Sequence, residues 1–129
     1  MRRAMVAGLL YALATYAIAF ALGAFRTIVI VPLTGPTIAV LLEMPVVLTV
    51  AWLLCGPIVR RCAVPAAWPA RAAMGLVALF IILLLEAALA TLGFGQTLAQ
   101  HFAAYAETGP QLGLAAQVVF AAMPLVRGR

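Results

Sequence analysis

Apolar side chains run from Ala4 to Val31 with one charged interruption, Arg26, and stop at Pro32. A second apolar run opens at Pro36 and reaches Ile58, interrupted by Glu43. A third covers 72–94 around Glu86, and a fourth covers 111–126. An α-helix needs about 20 apolar residues to cross the hydrocarbon core of a bilayer. The pattern predicts one all-α domain over 1–129, an integral membrane bundle of four transmembrane helices at 4–31, 36–58, 72–94 and 111–126. Leu33-Thr34-Gly35, bracketed by two prolines, predicts a tight turn, and Pro36 opens the next helix, where its missing N–H is harmless. The stretch 59–71 carries Arg60, Arg61, Pro65, Pro69 and Arg71 and reads as a polar, proline-broken loop. Between the last two spans, Leu98, Phe102 and Tyr105 recur at helical spacing among Gln100, His101 and Glu107. That predicts a short amphipathic helix over 97–107 lying at the membrane interface.

Positive charge ahead of the first run also fits a signal peptide, with Ala21-Leu22-Gly23 as a cleavage site. The run exceeds the about 7–15 apolar residues of such a signal, so a retained helix is expected.

Composition agrees with the periodic reading. Of 129 residues, 67% are hydrophobic and 9% charged, against about 25% charged in ordinary soluble domains. Net charge is +5, carried wholly by arginine. Arg2, Arg3, Arg60, Arg61, Arg71, Arg127 and Arg129 fall on one side of the predicted spans and Arg26 alone on the other. The positive-inside rule then puts both termini in the cytoplasm, in a bacterial inner membrane, with Trp52 and Trp68 at the cytoplasmic interface. Basic residues so few, and placed at the ends of apolar runs, do not suggest a nucleic-acid partner. The expected partners are the lipid bilayer and either a second membrane protein or another copy of this chain. Cys55 and Cys62 are expected to be free thiols in that compartment. Neither a metal nor a cofactor is implied, since His101 is solitary and a metal site takes several ligands.

The charged interruptions share a depth. Arg26 and Glu43 lie at nearly equal distances on either side of the first turn, about 12 Å below it at ~1.5 Å rise per residue. Glu86 and Gln117 reach the same level on the third and fourth spans. Tyr11, Thr15 and Arg26 fall on one face of the first helix at the 3.6-residue period. Lone charges inside a bilayer are expensive and seek partners. A buried polar cluster of Arg26, Glu43, Glu86 and Gln117, approached by Tyr11 and Thr15, is therefore expected, with a helix kink at Pro45. One guanidinium facing two carboxylates leaves a surplus negative charge unless one carboxyl keeps its proton.

The stretch Gly35-Pro36-Thr37-Ile38-Ala39-Val40-Leu41-Leu42-Glu43-Met44-Pro45, following Arg26 and its proline turn, resembles small uncharacterised four-helix bacterial inner-membrane proteins, a likeness that implies architecture and no activity. Small multidrug transporters are similar in length and helix count, but their membrane glutamate lies in the first helix, where this chain has none. Leu22-Gly23-Ala24-Phe25-Arg26 is similar to part of a bacterial fluoride-channel motif, whose second-helix asparagine is missing here. The expected role is structural or accessory, the alternative a small proton- or ion-coupled transporter or channel using the polar cluster. No enzymatic role is expected: the chain lacks Ser and Asp, and Cys55 has no evident base.

Overall fold

The computed structural model describes residues 2–126, apart from the side chains of Pro36, Thr108 and Gly109; Arg127 and Arg129 lie outside the described residues. Five helices follow one another: α1 Arg2–Thr34, α2 Pro36–Arg61, α3 Trp68–Gly93, α4 Leu98–Ala103 and α5 Thr108–Val126. The first three are each long and apolar enough to cross a membrane. A fourth span arises only if the α4 segment and α5 count as one, and these are bent by 92°. The bend follows from the backbone. Thr97 caps α4 in a reciprocal box with Gln100, a 3-10 turn over Ala104–Ala106 closes it, and Glu107 is extended.

Three boundaries differ from the sequence expectation, two of them through proline. Helix α1 does not stop at Pro32. Its backbone widens into a π turn over Arg26–Ile30, with the Val31 N–H bonded to the Arg26 carbonyl. The α-helix then resumes with Pro32 in its first turn, where no N–H is needed. The chain reverses at Gly35 alone, at φ 88° and ψ 163°, a conformation essentially restricted to glycine. Helix α3 starts at Trp68, with Pro69 in its first turn, so Arg71 belongs to a helix and not to a loop. Helix α2 passes uninterrupted through Pro45 and Pro57 to Arg61. Beyond it, the Ala63 N–H bonds to the Arg60 carbonyl and the Val64 N–H to the Val59 carbonyl. This is a Schellman cap with Ala63, at φ 52°, in the left-handed position.

Helix α1 packs on α2 and α3, and α5 packs on the same two. Thus α1 and α5 occupy one diagonal of the bundle, and α2 and α3 the other. The core is concentrated at one end, where Ala7 and Tyr11 of α1 meet Cys55 of α2, Met74 of α3, and Phe120 and Met123 of α5. Small residues permit this close approach, as they do between helices in membranes generally. A Cβ on Gly8 would lie 2.6 Å from the Met74 carbonyl oxygen, and one on Gly75 only 1.9 Å from that of Ala121. Outside, Met5, Phe20, Leu53, Leu76, Phe80 and Val118 are exposed, as expected of a bundle surrounded by lipid.

Two polar devices hold this packed end. Pro124 has no N–H for the Phe120 carbonyl of its own helix. The fully buried Tyr11 hydroxyl donates to that oxygen instead (2.8 Å), lies 3.3 Å from the Met123 sulfur, and its ring stacks on Phe120 at 4.2 Å. Arg71, 3% exposed, donates from Nε to the Pro65 carbonyl and from a terminal nitrogen to that of Pro124, both at 3.1 Å. It thereby ties the 62–67 connection to the last turn of α5, where a cation complements the helix dipole.

Candidate functional site, a cavity in the loosely packed half

The other half of the bundle holds a cavity of about 550 Å³ that is partly open to the surroundings. Both π turns belong to this half, in keeping with their frequency at functional sites. The first begins at Arg26 and turns its guanidinium toward the neighbouring α2, where it forms an ion pair with Glu43. The Arg26 side chain is 31% exposed and that of Glu43 13%. Gly23 leaves the space beside them open, since a Cβ there would approach nothing closer than 3.7 Å. Pairing matters here because an isolated charge at mid-helix costs about 2.5–3.5 kcal/mol or more to insert.

Glu86 does not join that pair. It accepts a hydrogen bond from the Gln117 side-chain amide of α5, and the Tyr105 hydroxyl approaches the same carboxylate. The reason is topological. Consecutive antiparallel helices bring Arg26 and Glu43 together, whereas α2 and α3 sit on opposite corners, which separates Glu43 from Glu86, and the Glu86 carboxylate is instead taken by Gln117 of the adjacent α5. The expected buried Arg-Glu-Glu cluster is thus replaced by two separate polar pairs. Among the described residues, the charged side chain that is fully buried is Arg71.

The remaining predicted residues divide similarly. Thr15 lines the cavity and is buried. Its hydroxyl has no partner among the described residues, unlike those of Thr27, Thr49 and Thr91, which bond back to carbonyls four residues earlier. The Gln117 side-chain oxygen is likewise buried and unpartnered among the described residues. Buried polar atoms normally find a partner, so both mark positions suited to water or a solute. Tyr11 belongs to the packed core instead, about 22 Å of helix from Arg26 at ~1.5 Å per residue. Pro45 is exposed and does not line the cavity.

A second cavity, about 430 Å³, shares Arg26, Glu86 and Gln117 with the first and extends to His101 and Tyr105. Glu86 therefore stands where the two spaces meet. His101 of α4 and Tyr105 of the 3-10 turn after it face the second cavity and stack edge to face at 5.7 Å, while Leu98 and Phe102 are exposed. The apolar stripe expected to unite Leu98, Phe102 and Tyr105 is split accordingly.

Sequence reasoning missed Arg71, Gly75 and the π turns. Pro69 carried a usable signal for the first, because proline favours the first helical turn and so admits Arg71 to the helix. The carbonyl that Gly75 accommodates lies on a distant helix, and no local pattern announces it.

No family model matches this chain, and no curated protein or solved structure is similar to it.

Proposed function

We propose that this is a multi-pass inner-membrane protein that admits a small solute into its loosely packed half, as a binding or translocating bundle and not as an enzyme. One observation carries the reading: the bundle is tightly packed at one end and hollow at the other, with unpartnered Thr15 and Gln117 oxygens in the hollow. Ligand cavities commonly measure about 300–1,000 Å³, with mostly apolar walls and a few placed polar groups. Arg2, Arg3, Arg60 and Arg61 are exposed beside the packed end. That supports a cytoplasmic placement of this end, and of both termini, by the positive-inside rule.

The test is small-solute flux in proteoliposomes. Gly113 lines the cavity, and a Cβ there would meet nothing within 4 Å, so Gly113→Leu fills the space without disturbing the core. Flux that falls at least tenfold in this variant supports the reading.

A structural or accessory role is the second reading, favoured by the exposed Leu92, Phe94, Leu98 and Phe102 where α3 gives way to α4. A partner co-purifying in fixed ratio, with flux no greater than that of bare lipid, would select it.

A further inference from the structure

We propose that the larger cavity binds a lipophilic organic monocation, an amine or quaternary ammonium with an apolar body, with Glu86 as its counter-charge. The inference rests on the solute-binding reading above and specifies its ligand.

Charge is the first argument. Three acidic or basic side chains line the larger cavity: Arg26, Glu43 and Glu86. The guanidinium is engaged by Glu43, which leaves Glu86 with hydrogen-bond donors but, among the described residues, no ion pair of its own. The chain has no lysine to form one, and His101 reaches only the second cavity. A carboxylate in a mostly apolar cavity is stabilised by a mobile positive charge when the fixed ones are already paired.

Acceptor geometry is the second. By donating its N–H to Glu86, the Gln117 amide is left with a buried acceptor oxygen beside the carboxylate, and the Thr15 hydroxyl lines the same space. Acceptors in surplus over donors select a cation over an anion.

The walls are the third. Tyr16 lines the cavity and the exposed Phe20 and Phe94 stand at its rim, while the Phe120 ring is stacked on Tyr11; aromatic faces attract ammonium groups, and their area suits an apolar body. A hydrated metal ion would waste those walls, whereas an organic cation uses both the rings and the carboxylate.

The experiment compares benzyltrimethylammonium with its uncharged isostere neopentylbenzene. Both are measured by equilibrium dialysis against the full chain in phosphatidylcholine nanodiscs, with empty discs as the blank. The expected result is at least tenfold tighter binding of the cation. Glu86→Gln should abolish the preference, and Glu107→Gln, which removes an exposed charge outside the cavity, should leave it intact. Equal binding of the two probes, or a preference that survives Glu86→Gln, overturns the cation assignment and leaves a neutral-solute cavity standing. Binding of neither probe removes the solute-binding reading as well. Should Glu86→Gln fail to fold, Gly113→Leu decides: undiminished cation binding with the cavity filled places the ligand elsewhere and overturns the proposal.

Discussion

Gly75→Ala adds one methyl group where α3 touches α5, and its Cβ would lie 1.9 Å from the Ala121 carbonyl oxygen. Real Cβ atoms essentially never come within 3.0 Å of such a neighbour, so α5 must retreat by more than 1 Å. The neighbour is backbone and has no rotamer with which to yield. The retreat carries Phe120 away from Tyr11, whose hydroxyl now donates to the Phe120 carbonyl at 2.8 Å. If α1 stays in place, that distance grows to as much as about 3.9 Å, beyond hydrogen-bonding range. Overpacking costs about 1–3 kcal/mol, and leaving the buried pair unsatisfied about 1–3 more. A loss of about 2–6 kcal/mol is expected, read from unfolding by added sodium dodecyl sulfate in dodecyl maltoside micelles with tryptophan fluorescence. Gly113→Ala is the matched control. Its Cβ meets nothing within 4 Å, so it should be neutral or gain up to about 1 kcal/mol from helix propensity. A Gly75→Ala protein within about 0.5 kcal/mol of the parent, in the usual range of harmless surface changes, would refute the close α3–α5 contact.

Three further substitutions probe other parts of the account. Arg71→Met keeps the apolar stem but strips donors from the Pro65 and Pro124 carbonyls; a cost of about 2–5 kcal/mol is expected from two unsatisfied acceptors, measured in the same titration. Ala63→Gly relieves a left-handed residue and should stabilise by about 0.5–1 kcal/mol after the entropy cost of glycine, seen as a higher melting temperature. For the ion pair, Arg26→Gln/Glu43→Gln should be more stable than either single variant by about 1–3 kcal/mol, because each single change strands one charge; single variants as stable as the double would show that the pair is uncoupled.

Much of this architecture was legible in the chain. The hydropathy runs located three long helices, because a helix in lipid has to be apolar on nearly every face. The meeting of Arg26 with Glu43 followed from equal distances to one proline-flanked turn, since a hairpin aligns residues by counting alone. The same counting put Glu86 and Gln117 at a common level and, applied to all four residues, joined the pairs into one cluster. Depth along the membrane normal can be counted from sequence, whereas position around the bundle cannot. The placement of α2 and α3 on opposite corners, and hence the separation of Glu43 from Glu86, depends on which helices interlock. That choice rests on contacts such as Gly75 with Ala121 and Gly8 with Met74, between residues far apart in the chain. Pro32 misled for a different reason: a π turn ends just before it, Pro32 falls in the first turn of the resumed α-helix, and α1 ran on to Thr34.

The contrast between a packed half and a hollow half underlies every functional statement above, and thiol accessibility measures it most directly. In a Cys55→Ala/Cys62→Ala background, single cysteines at Gly113 and Gly23, which line the cavity, are compared with one at Ala78, which is fully buried in the core. A water-soluble methanethiosulfonate applied to the protein in nanodiscs should modify Gly113→Cys and Gly23→Cys readily and Ala78→Cys at least a hundredfold more slowly. Equal rates at all three positions, or protection of Gly113→Cys and Gly23→Cys to the level of Ala78→Cys, would contradict the account.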